Sequence, residues 1–370
     1  MDYKNKILQG NCLEVLKTLP DNLIDCCITS PPYWGLRDYG TAKWEDGDVN
    51  CDHVQRYNSM QSSKSTLGGR DSEDTLEDKR RDMHTQHKHI CEKCGAKRID
   101  EQIGLENTPE EYVEHMVQVF MEVYRIMKDT GTFWLNLGDS YYNYRPGGGQ
   151  SMPQQSIANN KQDLPDVVSR RGNKIEGLKE KDLVGIPWMT AFALRKAGWY
   201  LRQDIIWSKK NCMPESVKDR CTKSHEYIFL LTKNAHYYYD NEAIKVPAKQ
   251  DWGIRDRTNG KYHNEGTGLS PHTGLTKSYE KVNKRSVWEV ATKPFKDSHF
   301  ATFPEELIEP MVIAGCSENG LILDPFMGAG TTAVVAFKNN RNFLGIDLNS
   351  EYIDMAMKRI NNQVKKRKLF

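Results

Sequence analysis

"GLILDPFMGAGTTAVVAFKNNRNFLGIDLN", residues 320–349, decides the fold. An apolar run, Leu321 to Leu323, ends at Asp324 and passes directly into a glycine loop, Pro325 to Gly330. A helix-forming stretch follows, then a second apolar run that ends in Asp347. The order is strand, loop, helix, strand. Gly328 and Gly330 let backbone approach a ligand closely. The helix N-terminus at Thr331 and Thr332 offers free N–H groups to a carboxylate or phosphate. An acid about 20 residues on, at the end of the second strand, suits the two hydroxyls of a ribose. A glycine loop alone is also consistent with a tight turn in a non-binding sheet; the ordered context favours a nucleoside cofactor. A Walker loop is excluded because no Gly-Lys-Ser/Thr follows. A dinucleotide site prefers GxGxxG, whereas the order here is Gly328-Ala329-Gly330-Thr331-Thr332-Ala333.

Working outward, Pro304 with Glu305 and Glu306 opens a helix before this unit, which Pro310 is expected to kink or shorten. After it, Asn349-Ser350 opens a last helix with Ile353, Met357, Ile360 and Val364 on one face. Residues 5–34 read as strand, helix, strand. Leu13, Leu16 and Leu19 have helical spacing, and "LIDCCIT" has the near-continuous apolar character of a central parallel strand. That strand stops at Ser30-Pro31-Pro32-Tyr33-Trp34, a rigid and aromatic loop. Thr108 caps a helix through Lys128, with Val113, Val117, Phe120 and Tyr124 expected on its buried face. "GTFWLNLGD", "WYLRQDIIWSK" and "HEYIFLLTK" read as strands, and "GIPWMTAFALRKAG" as a helix between the first two. Alternating strands and helices imply an α/β, doubly wound sheet. Residues 40–104 read as a polar, irregular insertion, 143–182 as loop, and 240–290 as polar and poor in periodicity.

Composition narrows the class. The 370-residue chain is 38% hydrophobic and 28% charged, with a formal net charge of +2. No apolar run reaches the roughly 18 residues of a membrane span. The start, "MDYKNKILQGN", lacks a signal-peptide apolar region, so the expectation is a cytoplasmic protein with no membrane partner. Bulk charge does not argue for nucleic acid, but "SRRGNK", "WSKKN" and the tail "KKRK" are locally basic. Nine cysteines, an odd count, argue against a disulfide framework. Cys12, Cys26, Cys27 and Cys316 lie in or beside apolar segments and read as reduced thiols.

Two motifs now stand together. "DPFMGAG" matches the FxGxG signature, and "TSPPYW" the (D/N/S)PP(Y/F/W) signature, of S-adenosylmethionine-dependent amino-methyltransferases acting on DNA. The tetrad precedes the glycine loop in the chain, a circularly permuted order that resembles the β group of this family. The resemblance spans roughly residues 5–36, 108–142, 183–235 and 298–365. It implies a Rossmann-like methyltransferase sheet whose catalytic part is residues 1–40 and 105–235 and whose cofactor-binding part is residues 298–370. Residues 41–104 would be an insertion, and 236–297 a target-recognition insertion. It also implies that Phe326, Gly328, Gly330 and Thr331 line the cofactor, that Asp324 faces its amino group, and that Asp347 holds the ribose. Asn11 stands where many members carry an acid near the adenine.

The chemistry explains the tetrad. An exocyclic base amine is a poor nucleophile because its lone pair is delocalised into the ring. Two acceptors aimed at its hydrogens localise that pair; Ser30 Oγ and the Pro31 carbonyl are the candidates, with Pro32 fixing the backbone. Tyr33 is the candidate stacking partner for a flipped base, with Trp34 as a second wall and Asp139 as a further base-pocket residue. C5-cytosine methylation is disfavoured, since no Pro-Cys dipeptide occurs. Serine at the first position resembles the N4-cytosine enzymes; N6-adenine is the alternative, and an RNA or protein amide substrate a more distant one. The implied partners are double-stranded DNA and a cognate restriction endonuclease.

Cys51, His53, Cys91 and Cys94 could supply four tetrahedral zinc ligands in the polar insertion, with His87 and His89 as alternates. Arg145, Arg170, Arg171 and Lys174 are candidates for phosphate contact, and Arg255, Arg257 and Lys261 for base or phosphate contact.

Overall fold

The computed structural model describes residues 2–35, 43–57, 83–86, 90–142, 175–248, 280–292 and 303–367. In chain order the elements are β1 (Lys6–Gln9), α1 (Cys12–Lys17), β2 (Ile24–Thr29), β3 (Lys43–Glu45), β4 (Val54–Tyr57), β5 (Met83–Gln86), β6 (Lys97–Ile99), α2 (Pro109–Ile126), β7 (Met127–Leu137), α3 (Ile186–Lys196), β8 (Tyr200–Ser208), β9 (His225–Thr232), β10 (Val246–Pro247), β11 (Lys281–Val282), β12 (Val287–Glu289), α4 (Glu305–Gly315), β13 (Leu321–Asp324), α5 (Thr331–Lys338), β14 (Asn342–Asp347) and α6 (Ser350–Arg367).

Eight strands form the main sheet in the order β1-β14-β13-β2-β7-β9-β8-β12. Every pairing in it is parallel except those of β9, which runs against both β7 and β8. The doubly wound expectation holds because side chains alternate between two buried faces. Cys27, Phe133 and Leu135 join one core layer with α1, α2 and α3. Cys26, Ile28 and Trp134, their immediate neighbours in sequence, join the other with α4, α5 and α6. The first strand of the cofactor-type unit, β13, lies between β14 and β2. The glycine loop after β13 and the Ser-Pro-Pro-Tyr loop after β2 therefore leave the same sheet edge side by side, 295 residues apart in sequence at Thr29 and Asp324.

Several expectations shift. The buried face of α2 is Tyr112, Val113, Met116, Val119, Phe120 and Val123, rotated from the expected one; Val117 and Tyr124 are only partly covered. Pro310 does not shorten α4, which runs through it to Gly315. Burial of Leu307, Ile308, Met311 and Val312 on either side outweighs the one missing backbone hydrogen bond. The described parts of the expected irregular insertion contain strands: β3 pairs with β6, and β4 with β5, both antiparallel. The expected recognition insertion also contributes to the sheet, because β12 pairs parallel with β8 and buries Trp288. Cys12, Cys26, Cys27 and Cys316 are free and buried, as expected. Among the described residues, no helix is long and apolar enough to cross a membrane. Arg145, Arg170, Arg171, Lys174, Arg255, Arg257, Lys261, His87 and His89 lie outside the described residues.

Candidate active site

The glycine loop is fixed from below. Thr29 Oγ1 donates to Asp324 Oδ1 at 2.6 Å, and Thr332 Oγ1 donates to Asp324 Oδ2 at 2.6 Å. The Phe326 N–H also reaches Oδ1, at 3.1 Å. One carboxylate thus ties the end of β2, the loop and the first turn of α5 together. Asp324 was expected to face a cofactor amino group, yet it is 1% exposed with both oxygens engaged. Its part in this structure is to organise the loop. Burial raises its pKa to about 6, against the lowering effect of its hydrogen bonds.

That shift fixes a sign. The native carboxyl holds its proton more tightly than an unfolded aspartate does, so this group's effect on stability becomes unfavourable as pH rises from about 4 to about 6 and is constant above that. The expected size is roughly 3 kcal/mol. Denaturant unfolding across this range should show the decline in the wild type and lose it in Asp324→Asn.

Gly328 and Gly330 have φ of 51° and 76°, in the left-handed region. Gly330 also meets α6 closely: a Cβ there would lie 2.6 Å from the Ala356 Cβ. Arg359 of α6 donates to the Ala329 carbonyl and to Thr331 Oγ1, closing the back of the loop. Asp347 Oδ2 accepts from the Gly328 N–H at 2.7 Å and Oδ1 from the Asn349 N–H at 2.8 Å; burial pushes its pKa up. Gly10 N–H donates to the Asp347 carbonyl, so Asn11 stands at the same edge. The Asn11 side-chain oxygen is used to cap α1, accepting from Leu13 and Glu14. Phe326 is partly buried against the first core layer. Backbone amides, two left-handed glycines and an acid at the strand end suit a nucleoside-bearing ligand.

The second loop carries a polar network that the sequence did not reveal. Tyr33 Oη donates to Glu226 Oε2 at 2.6 Å. Asn136 Nδ2 lies 2.7 Å from Tyr33 Oη, 2.8 Å from Glu226 Oε2 and 3.4 Å from Ser30 Oγ. Lys209 Nζ donates to the other Glu226 oxygen. Glu226 only accepts, which fixes the Asn136 amide with its nitrogen towards this cluster. Asn136 Oδ1 is buried and has no donor among the described residues. Burial, then the Glu226 charge, raises the Tyr33 pKa well above the usual value, so the hydroxyl stays protonated. Among the described residues Ser30 Oγ has contacts of 3.4 and 3.5 Å, long ones that leave it open to a further partner. Tyr112 Oη donates to the Pro32 carbonyl at 2.9 Å, while the Pro31 carbonyl has no donor among the described residues.

Two of the expected pocket residues lie elsewhere. Trp34 is 5% exposed, packs in the first core layer and donates to the Glu106 carbonyl at 3.0 Å. It anchors the loop rather than walling an open pocket. The Asp139 carboxylate accepts from the Gly185 and Ile186 N–H groups and caps α3. Asn136 carried one signal in the sequence: a single amide inside an otherwise apolar strand, "FWLNL".

Tyr33 is seated on Gly138. A Cβ at Gly138 would lie 2.6 Å from the Tyr33 ring, so Gly138→Ala must displace that ring. A shift of about 1 Å in a reacting geometry costs on the order of 100-fold. Gly138→Ala is therefore expected to lower kcat by about that factor with the cofactor Kd within about twofold, measured by steady-state transfer and equilibrium binding.

The four expected metal ligands also meet: the donor atoms of Cys51, His53, Cys91 and Cys94 all lie within 4.8 Å of one another.

A DNA methylase family model, covering the N6 and N4 amino-methyltransferases, matches residues 24–358. The Type II methyltransferase M.SmaI of Serratia marcescens is 38% identical over 355 residues, covering 96% of this chain and 90% of the relative. The Type II methyltransferase M.Cfr9I of Citrobacter freundii is 37% identical over 357 residues, covering 96% and 88%. Among solved structures, the PvuII DNA methyltransferase (cytosine-N4-specific) superposes with a TM-score of 0.53 at 14% identity, covering 96% of this chain and 86% of that one, a likeness of fold. With the permuted order of its two loops, its sheet and these relatives, the chain belongs to the DNA methylase family of N6 and N4 amino-methyltransferases.

Proposed function

We propose that the protein methylates the N4 amine of a cytosine flipped out of duplex DNA, using S-adenosylmethionine. The observation that carries the choice of base is Ser30: the group at the head of the tetrad is a neutral hydroxyl, lightly held by Asn136, as in the N4-cytosine type of tetrad. The cofactor, when bound, supplies a methyl group on a positively charged sulfur. Gly328, Gly330, Thr331 and Phe326 would line it, Asp347 would take the ribose hydroxyls, and Asn11 stands nearest the adenine side. The loop is preorganised by Asp324, so little ordering remains to be done on binding.

On the base side, Ser30 Oγ and the Pro31 carbonyl accept the two amine hydrogens and turn the nitrogen lone pair towards the methyl group. Asn136 positions Ser30, and the Tyr33 hydroxyl, fixed to Glu226, sets the ring against which the base rests. The methyl group would pass from the cofactor's sulfur, which would keep the S–C bond pair, to the nitrogen lone pair, and the amine would release one proton to solvent. Asn136, Glu226 and Lys209 are positioning residues in this scheme. The Type II names of the curated relatives support extending to this chain a partner endonuclease that reads the same DNA sequence. The test is expression in a host without DNA methylation, followed by mass analysis of its nucleosides. N4-methyldeoxycytidine supports the reading; N6-methyldeoxyadenosine in its place overturns the choice of base.

A further inference from the structure

We propose that Cys51, His53, Cys91 and Cys94 hold one structural zinc ion, and that this ion clamps the inserted segment against the catalytic loop. The donor geometry is that of a closed tetrahedral site. Cys51 Sγ and Cys91 Sγ are 3.7 Å apart, and Cys94 Sγ and His53 Nδ1 are 3.6 Å apart. A tetrahedron with Zn–S bonds near 2.3 Å has edges of about 3.8 Å. A disulfide needs sulfurs at about 2.05 Å, whereas Cys51 Sγ and Cys91 Sγ stand 3.7 Å apart and all three thiols are free. Three thiolates and an imidazole select zinc over magnesium or calcium, which take oxygen ligands.

The local backbone is shaped for the role. Gly95 follows Cys94 with φ of 75°, its N–H donates to the Cys91 carbonyl, and the Cys91 N–H donates to the Ala96 carbonyl. This closes a tight turn that presents both sulfurs on one side. Across from this turn, His53, just before β4, is held with its ring stacked on Trp44, centroids 4.5 Å apart and planes 12° from parallel. Gly47 lets the two sides approach: a Cβ there would lie 2.4 Å from the Ala96 Cβ and 2.9 Å from the Cys94 sulfur.

Among the segment's described residues from 43 to 100, the buried apolar ones are Cys91 and Ala96, while Val49, Ile90 and Ile99 are exposed. A unit with so small a core depends on a metal or disulfide for its fold. Cys51 and Cys91 are 40 residues apart in sequence, and His53 and Cys94 are 41, so the ion closes a long loop.

The clamp leads to the catalytic loop. The Gly35 N–H donates to the Gly104 carbonyl at 2.7 Å, joining the two ends of the segment. Gly104 packs on the Tyr33 carbonyl and on Pro32, where a Cβ would lie 3.1 Å and 3.4 Å away. β3 and β6 connect this neck to the metal ligands at either side. The ion therefore holds the neck closed next to Ser30–Tyr33, where DNA must enter, and stands apart from the cofactor loop.

This second part rests on the methyltransferase reading; the metal itself does not. Protein purified under reducing conditions should contain about one zinc per chain by mass spectrometry, and Cys91→Ser or Cys94→Ser less than ~0.1. Cobalt loaded in place of zinc should give the absorption of a tetrahedral thiolate site in the wild type, a readout that does not depend on a variant folding. Iron in place of zinc, no bound metal, or an octahedral cobalt spectrum overturns the site. The variants should then raise the KM for DNA by at least about tenfold, with S-adenosylmethionine Kd within about twofold. An unchanged KM for DNA overturns the clamp. A wild type that holds zinc yet transfers no methyl group points to failure of the functional reading, not of the metal site.

Discussion

Ser30→Ala is expected to lower kcat for methyl transfer by about 10²–10³-fold while leaving the cofactor Kd within about twofold. The hydroxyl is one of two acceptors that would localise the amine lone pair, so its value lies in the transition state rather than in the ground state. Its contacts to Asn136 and Tyr33 are long, at 3.4 and 3.5 Å. Asn136 keeps its shorter bonds to Tyr33 and Glu226 when it is gone, so the fold should lose no more than about 1 kcal/mol. The cofactor loop is tied to β2 through Thr29, one residue earlier, and is untouched by the change. Single-turnover transfer with equilibrium cofactor binding separates the two effects. A fall in cofactor affinity equal to the fall in rate would mean that Ser30 supports the glycine loop instead of the amine.

Glu226→Ala has the larger structural effect. It leaves the Lys209 ammonium, the Tyr33 hydroxyl and one Asn136 contact without their acceptor, in a region where Glu226 and Lys209 side chains are 12% and 23% exposed. Removing one partner of a mostly buried pair costs about 3–5 kcal/mol. Tyr33 is then released, so kcat should fall by at least about 100-fold. Glu226→Gln with Lys209→Met removes both charges and keeps an acceptor for Tyr33. Its stability loss should be smaller than that of Glu226→Ala alone, by denaturant unfolding. A double variant as unstable as the alanine variant would show that the pair itself, not the stranded charge, carries the stability.

The parts of the site that were legible in the sequence are those made by local chemistry. Glycines at 328 and 330, prolines at 31 and 32, and the acids that end both strands of the glycine-loop unit mark loops without knowledge of their neighbours. The ligand pairs at 51–53 and 91–94 are similarly local. What was not legible depends on strand register. Asn136 reaches Glu226 only because β9 runs antiparallel to β7, pairing Leu137 with Tyr227. Lys209 reaches it because β8 returns beside β9, ending with Ser208 opposite His225. Trp34 and Asp139 lie away from the expected pocket for the same reason: residue type suggests a pocket, while tertiary packing sets one in the core and the other at the start of α3. β12 is three residues of edge strand, too short for a periodic signal.

The central claim is that the loop from Ser30 to Tyr33 transfers a methyl group from a cofactor held at Gly328–Gly330 to a cytosine amine in DNA. Its most direct test uses purified wild type and Ser30→Ala with methyl-labelled S-adenosylmethionine and duplex DNA, digested to nucleosides. The account predicts label in N4-methylcytosine for the wild type and at least about 100-fold less for the variant. Label in N6-methyladenine, no label on DNA, or equal labelling by both proteins would contradict it.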